Sequence, residues 1–111
     1  VRYALLICDD ETDAPSNEEI AADPAHRAWC ADVARRGAEV IGVRLRPVVD
    51  ATSVRVREGE TLISDGPYAE TKDFVGGVVI IDCADLDEAI QIAAGHPYAR
   101  RGGIEIRPLW E

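Results

Sequence analysis

Histidine is scarce in this 111-residue chain, which holds two, and cysteine is nearly so, with three. Cys8, Cys30 and Cys83 are odd in number, widely spaced and free of a Cys-x-x-Cys pattern, so at least one thiol is unpaired within the chain. No His or Cys spacing suits a structural zinc site, and there is no Gly-x-Gly-x-x-Gly, Walker loop or Gly-x-Ser-x-Gly elbow. The expectation is no metal and no cofactor. Positive charge is also short. Twelve Lys and Arg face 21 Asp and Glu for a net charge of -9, so phosphate backbones and anionic bilayers repel the chain on average. The expected partners therefore exclude nucleic acid and membrane. The longest apolar runs, at residues 4–8 and 78–81, are far too short to cross a bilayer. Free thiols without a basic-then-apolar leader predict a cytoplasmic protein.

What is present describes one domain. A 12.1 kDa chain exposes about 6,000 Å² when folded and about 17,500 Å² when unfolded, enough burial for one two-layer core. Eleven of the twelve cations are arginine, and Arg44, Arg46, Arg55 and Arg57 form either a basic face or a solvated face paired with carboxylates. Residues 3–8 are apolar at nearly every position and predict a central strand. Ser16-Asn17-Glu18-Glu19 has capping-box form, and Asp23-Pro24 opens a helix over 24–36 whose apolar stripe is Trp29, Cys30, Val33 and Ala34, closed by Gly37.

Strand two is expected over 39–45, and residues 53–57 and 61–64 form a hairpin with one wet face. A loop over 65–77 carries Gly66-Pro67 and Gly76-Gly77. A second central strand follows at 78–82. Asp85 starts a helix with Glu88 in capping-box position and Gly95 closing it, and the last strand is 103–108. The order β-α-β, hairpin, β-α-β predicts an α+β fold of the ferredoxin-like split βαβ kind: an antiparallel sheet with an inserted β-hairpin and two helices on one face. The other sheet face then needs cover, which predicts a homodimer.

His26 lies three and four residues before Trp29 and Cys30, on the sheet-facing stripe, where an imidazole is either a hydrogen-bonded core group or an acid–base catalyst. His96, next to Pro97, suits favourable contact with the negative end of the second helix. Asp9 and Asp10 follow the first strand, at a cleft rim or simply at the start of a polar loop. Asp65 opens Asp-Gly-Pro-Tyr, as a site residue or as an acceptor that fixes the turn.

Together, residues 3–7, helical His26, residues 53–56, the run Asp65-Gly66-Pro67-Tyr68-Ala69-Glu70-Thr71-Lys72-Asp73, Gly76-Gly77, residues 85–89 and residues 105–108 resemble the YCII-related proteins of the DGPF branch. Tyr68 stands where that motif usually has phenylalanine, and Asp73 where glutamate is commoner. The resemblance implies a dimeric α+β barrel. It also implies a site formed by a histidine of the first helix and an aspartate near the end of the first strand: His26 with Asp9, or with Asp10 if the loop aligns one residue later. Some relatives resemble lyase-type enzymes acting on small, often ring-containing molecules. The same barrel recurs in cofactor-free monooxygenases, stress proteins and non-catalytic binders, and other relatives are encoded beside sigma factors or fused to them. The expectation is an acid–base enzyme of lyase or isomerase type with a small organic substrate in a cleft between sheet and helices. His26 moves the proton, Asp9 orients it, Asp65 and Tyr68 line the mouth, and Arg107 holds an anionic substituent. The rival is a non-catalytic small-ligand-binding or regulatory dimer linked to sigma-factor systems.

Overall fold

Capping and alternation set the elements of the computed structural model, which describes residues 1–69 and 72–111; Glu70 and Thr71 of the 65–73 motif lie outside the described residues. The order is β1 (Arg2–Asp9), α1 (Asn17–Ala22), α2 (Pro24–Arg35), β2 (Glu39–Arg44), a 3-10 turn (Val48–Asp50), β3 (Thr52–Arg57), β4 (Glu60–Asp65), β5 (Phe74–Asp82), α3 (Leu86–Gly95), α4 (Tyr98–Arg101) and β6 (Gly103–Pro108). Ser16 and Glu19 form a complete capping box on α1, and the Asp23 carboxylate accepts from the Ala25 N–H at 3.0 Å to start α2. Gly37, at φ 63°, takes the left-handed conformation that ends α2.

The main sheet has the order β2-β5-β1-β6, antiparallel throughout, which is the ferredoxin-like arrangement. β1 alternates: Tyr3, Leu5 and Ile7 are buried with Val79 and Ile81 of β5 against Trp29 and Val33 of α2 and Ala89, Ile92 and Ala93 of α3. Each large side chain fully buried there contributes about 1.5–3 kcal/mol. The opposite face carries Ala4, Leu6 and Cys8, opposed by Ile80 and Val78 of β5, with Ile41 and Val43 next on β2. Its central residues are half-buried, while Ile41 and Val43 are exposed.

Three details differ from the sequence reading. The hairpin β3-β4 is a separate two-stranded sheet, and Val54, Val56, Leu62 and Ile63 are exposed, so among the described residues each of its faces leaves apolar side chains open. Gly76 and Gly77 are not loop. They belong to β5, where bare backbone allows a close approach: a Cβ on Gly77 would lie 3.2 Å from the Val43 carbonyl oxygen. Gly95 stays inside α3, and the chain leaves the helix at His96 in an extended conformation. Glu88 reaches back to the Ala84 N–H at 2.9 Å, while its own N–H is capped by Asp85 at 2.9 Å.

Candidate functional site

A cavity of about 330 Å³ opens between the sheet and the helices, at the lower end of the ~300–1,000 Å³ common for small-molecule sites. The Asp23 cap and the 3.6-residue period of α2 bring His26, Trp29 and Cys30 to its wall. The Trp29 indole is fixed by donation from Nε1–H to the Ile92 carbonyl at 2.8 Å. The turn after α3 adds His96 and Tyr98, and the sheet side brings Gly42, Gly76 and Gly77 together with Ile7 and Val79.

Four rings meet here. His26 and His96 have centroids 6.1 Å apart at 82°, Trp29 and His96 4.7 Å apart at 74°, and His96 and Tyr98 5.8 Å apart at 86°. His96 is 7% exposed, and its Nδ1 accepts from the Tyr98 backbone N–H at 3.0 Å. Burial, and secondarily the neighbouring His26, push its pKa down from 6.5 to about 4. That corrects the sequence reading of His96, because a neutral ring brings no charge to the negative end of α3.

His26 is half-buried, with Nε2 3.5 Å from the Cys30 sulfur one helical turn on. Burial, reinforced by Glu39, pushes the Cys30 thiol up, so the sulfur is a neutral neighbour and not a thiolate nucleophile.

Asp9 is also buried, but its Oδ2 accepts from Arg101 Nε at 2.8 Å, and the same guanidinium donates to the Thr12 and Asp13 carbonyls. Asp9 thereby pins the β1-α1 loop to α4. It lines an adjoining cavity and not the wall that holds His26. Among the described residues neither imidazole is ion-paired with a carboxylate. Asp10 is exposed, and its Oδ1 accepts from the Thr12 N–H at 2.8 Å, which holds its carboxyl below the usual range. The structure thus brings His26 together with His96, and Asp9 together with Arg101.

The remaining candidates sit elsewhere in the single chain. Asp65 ends β4 and is exposed; its turn is held by Gly66 N–H donating to the Ala51 carbonyl and by Ser53 Oγ donating to the Gly66 carbonyl, each at 2.8 Å. Tyr68 is 65% exposed beneath the Arg55 guanidinium, 4.4 Å from the ring centroid. Arg107 opposes Ala4 and so points to the open sheet face, 3.5 Å from Glu105.

Two residues that the sequence reading placed elsewhere belong to the cavity. His96 lies in a non-periodic turn that no stripe announces. Arg44 stands between the two cavities, donating to Asn17 Oδ1 at 2.7 Å and to the Pro15 carbonyl at 2.6 Å. Among the described residues, no group of three or more His, Cys, Asp or Glu is placed to hold a metal ion.

The fold and cavity define a ferredoxin-like α+β domain with an aromatic, two-histidine pocket. The family model of the YCII-related domain matches residues 1–111, and the chain belongs to that family. It is similar to an uncharacterized protein of Rhizobium meliloti (strain 1021), 40% identical over 115 residues, covering 96% of this chain and 90% of the relative. Among the described residues no helix is long and apolar enough to cross a membrane.

Proposed function

We propose that this protein, of the DGPF branch by its 65–73 motif, is a small cytoplasmic enzyme. It uses cofactor-free acid–base chemistry of lyase or isomerase type on a small organic molecule in the two-histidine cavity. The observation that carries the reading is that the chain's two histidines, far apart in sequence, face each other at 6.1 Å in one cavity while burial keeps one of them neutral. Groups of one kind placed in different environments are how a site separates its proton carrier from its hydrogen-bond donor. His26 is the proton carrier. Asp9, paired with Arg101 at 2.8 Å, fixes the loop of the adjoining cavity.

The working unit is a homodimer formed through the open sheet face. The single chain exposes 7644 Å², against about 6,000 Å² for a compact monomer of this mass. Its radius of gyration is 15.8 Å, against about 13 Å. The excess per chain is about twice the ~800 Å² that a standard interface takes from each partner. Asp65 and Tyr68, near the projecting hairpin, and Arg107, on the open face, would then meet a ligand only across that interface.

The commitment of Asp9 to Arg101 favours a second reading, a non-catalytic small-ligand-binding or regulatory dimer linked to sigma-factor systems. Small phenolic and keto-acid compounds screened by thermal shift, followed by turnover assays on the hits, separate the two. The enzyme reading expects turnover that falls by about 100-fold or more in His26→Gln while the melting temperature holds. Hits that bind without turnover leave the binder.

A further inference from the structure

We infer that His96 is the cavity's hydrogen-bond donor to its ligand, through Nε2–H, and that the site takes an uncharged planar molecule bearing a carbonyl oxygen. This deepens the preceding reading and rests on the cavity being a small-molecule site, not on turnover within it.

The tautomer follows from the backbone. The Tyr98 N–H is aimed at Nδ1 at 3.0 Å, so Nδ1 presents its lone pair and the ring proton of the neutral imidazole is on Nε2. Among the described residues no sealed side-chain nitrogen or oxygen lacks a partner, and Nε2 has no protein acceptor, so it opens to the cavity that the ring lines. A donor on a ring only 7% exposed is largely dehydrated, and a ligand oxygen that accepts from it removes the cost of leaving it unpaired.

The surroundings specify what carries that oxygen. Trp29 and Tyr98 stand nearly perpendicular to the His96 ring, at 4.7 and 5.8 Å, and supply apolar walls. On the sheet side, the bare backbone of glycines 42, 76 and 77 lies among the aliphatic side chains of Ile7 and Val79, a lining that suits a flat, mostly apolar body.

Charge selects against an anion. Glu19, Asp23 and Glu39 line the cavity with a single guanidinium, Arg44, and His96 adds no positive charge. Glu19 and Asp23 are held in place by the Ser16 and Ala25 N–H groups they cap. A carbonyl oxygen is acceptor only and matches a donor-only Nε2–H, whereas a hydroxyl would bring a second donor to satisfy.

The test uses the full-length protein with ¹⁵N-labelled histidine and three probes sharing one ring: acetophenone, ethylbenzene and benzoate. We expect His96 in the Nε2–H tautomer, with its Nε2 signal moved by millimolar acetophenone. Acetophenone should bind about three- to tenfold more tightly than ethylbenzene, and benzoate more weakly than acetophenone. In His96→Asn the amide oxygen still accepts from Tyr98 but the amide N–H falls short of the Nε2 position, so the preference for ketone over hydrocarbon should shrink; His96→Gln, with an amide N–H nearer the Nε2 position, should restore part of it. A His96 protonated on Nδ1, equal affinity for ketone and hydrocarbon, stronger binding of benzoate, or no response to acetophenone would each overturn the inference. The wild-type measurements stand even if a variant fails to fold. None of these readouts involves turnover, so a non-catalytic protein would overturn the enzyme reading and leave this one intact.

Discussion

Acidification tests the burial of His96 directly. Its ordinary pKa of 6.5 is pushed to about 4 in the fold, so between those values the unfolded chain takes up a proton that the native chain refuses. The stability this group contributes is complete above pH 6.5, declines as pH falls through the window, and is gone at about pH 4. The whole interval is worth at most about 3–4 kcal/mol, and the ring's opening onto the cavity lowers the expected loss to roughly 2 kcal/mol. The assay is urea unfolding of the wild type and His96→Asn at about pH 7 and about pH 4.5. The variant keeps the acceptor for the Tyr98 N–H and does not titrate, while His26 and the cavity carboxylates Glu19, Asp23 and Glu39 are common to both proteins and largely cancel in the difference. The wild type should lose more stability than the variant on acidification. Equal losses would refute the burial argument.

Arg101→Met leaves the Asp9 carboxylate, whose side chain is 8% exposed, without its ion pair, and should lower stability by about 3 kcal/mol in urea titration; Asp9→Asn, which still accepts from Arg101, should cost less. Gly102→Ala drives a Cβ into the Cys8 carbonyl, and an unchanged melting temperature would show that the approach of α4 to β1 is looser than described. Leu6→Glu puts a charge at the centre of the open sheet face and tests the proposed dimer: the wild type should sediment at twice the mass of the 12.1 kDa chain and the variant at that of one chain, and a monomeric wild type would refute the interface. Trp29→Phe removes the donor to the Ile92 carbonyl and should cost about 1–2 kcal/mol, measured by thermal melting.

Elements with local signals were legible in the sequence. Ser16, Asp23 and Asp85 each start a helix where their capping chemistry predicts, and β6 spans 103–108 as the alternation implies. The two-faced apolar character of β1 and β5 marked them as central strands and pointed to an uncovered face. What failed depended on partners remote in sequence. Gly76-Gly77 reads as a turn until β2 and β1 close on either side, and Asp9 reads as a histidine partner until Arg101, from a helix too short to show periodicity, occupies it. His26 was legible because its stripe is helical. His96 was not, because its orientation is set by the backbone of Tyr98.

The position of β1 in the sheet also governs how this protein is made. β1 is an inner strand, and both of its neighbours, β5 and β6, lie more than 60 residues after it in sequence. β2 pairs within this sheet only with β5. A ribosome that has delivered α2 and the β3-β4 hairpin has therefore delivered helices and an arm with no sheet to pack on. Residues 3–8 emerge as an apolar, β-prone segment that must wait unpaired. Folding of the core consequently waits until β5 and β6 have left the ribosome, and truncation before β6 leaves β1 with one open edge.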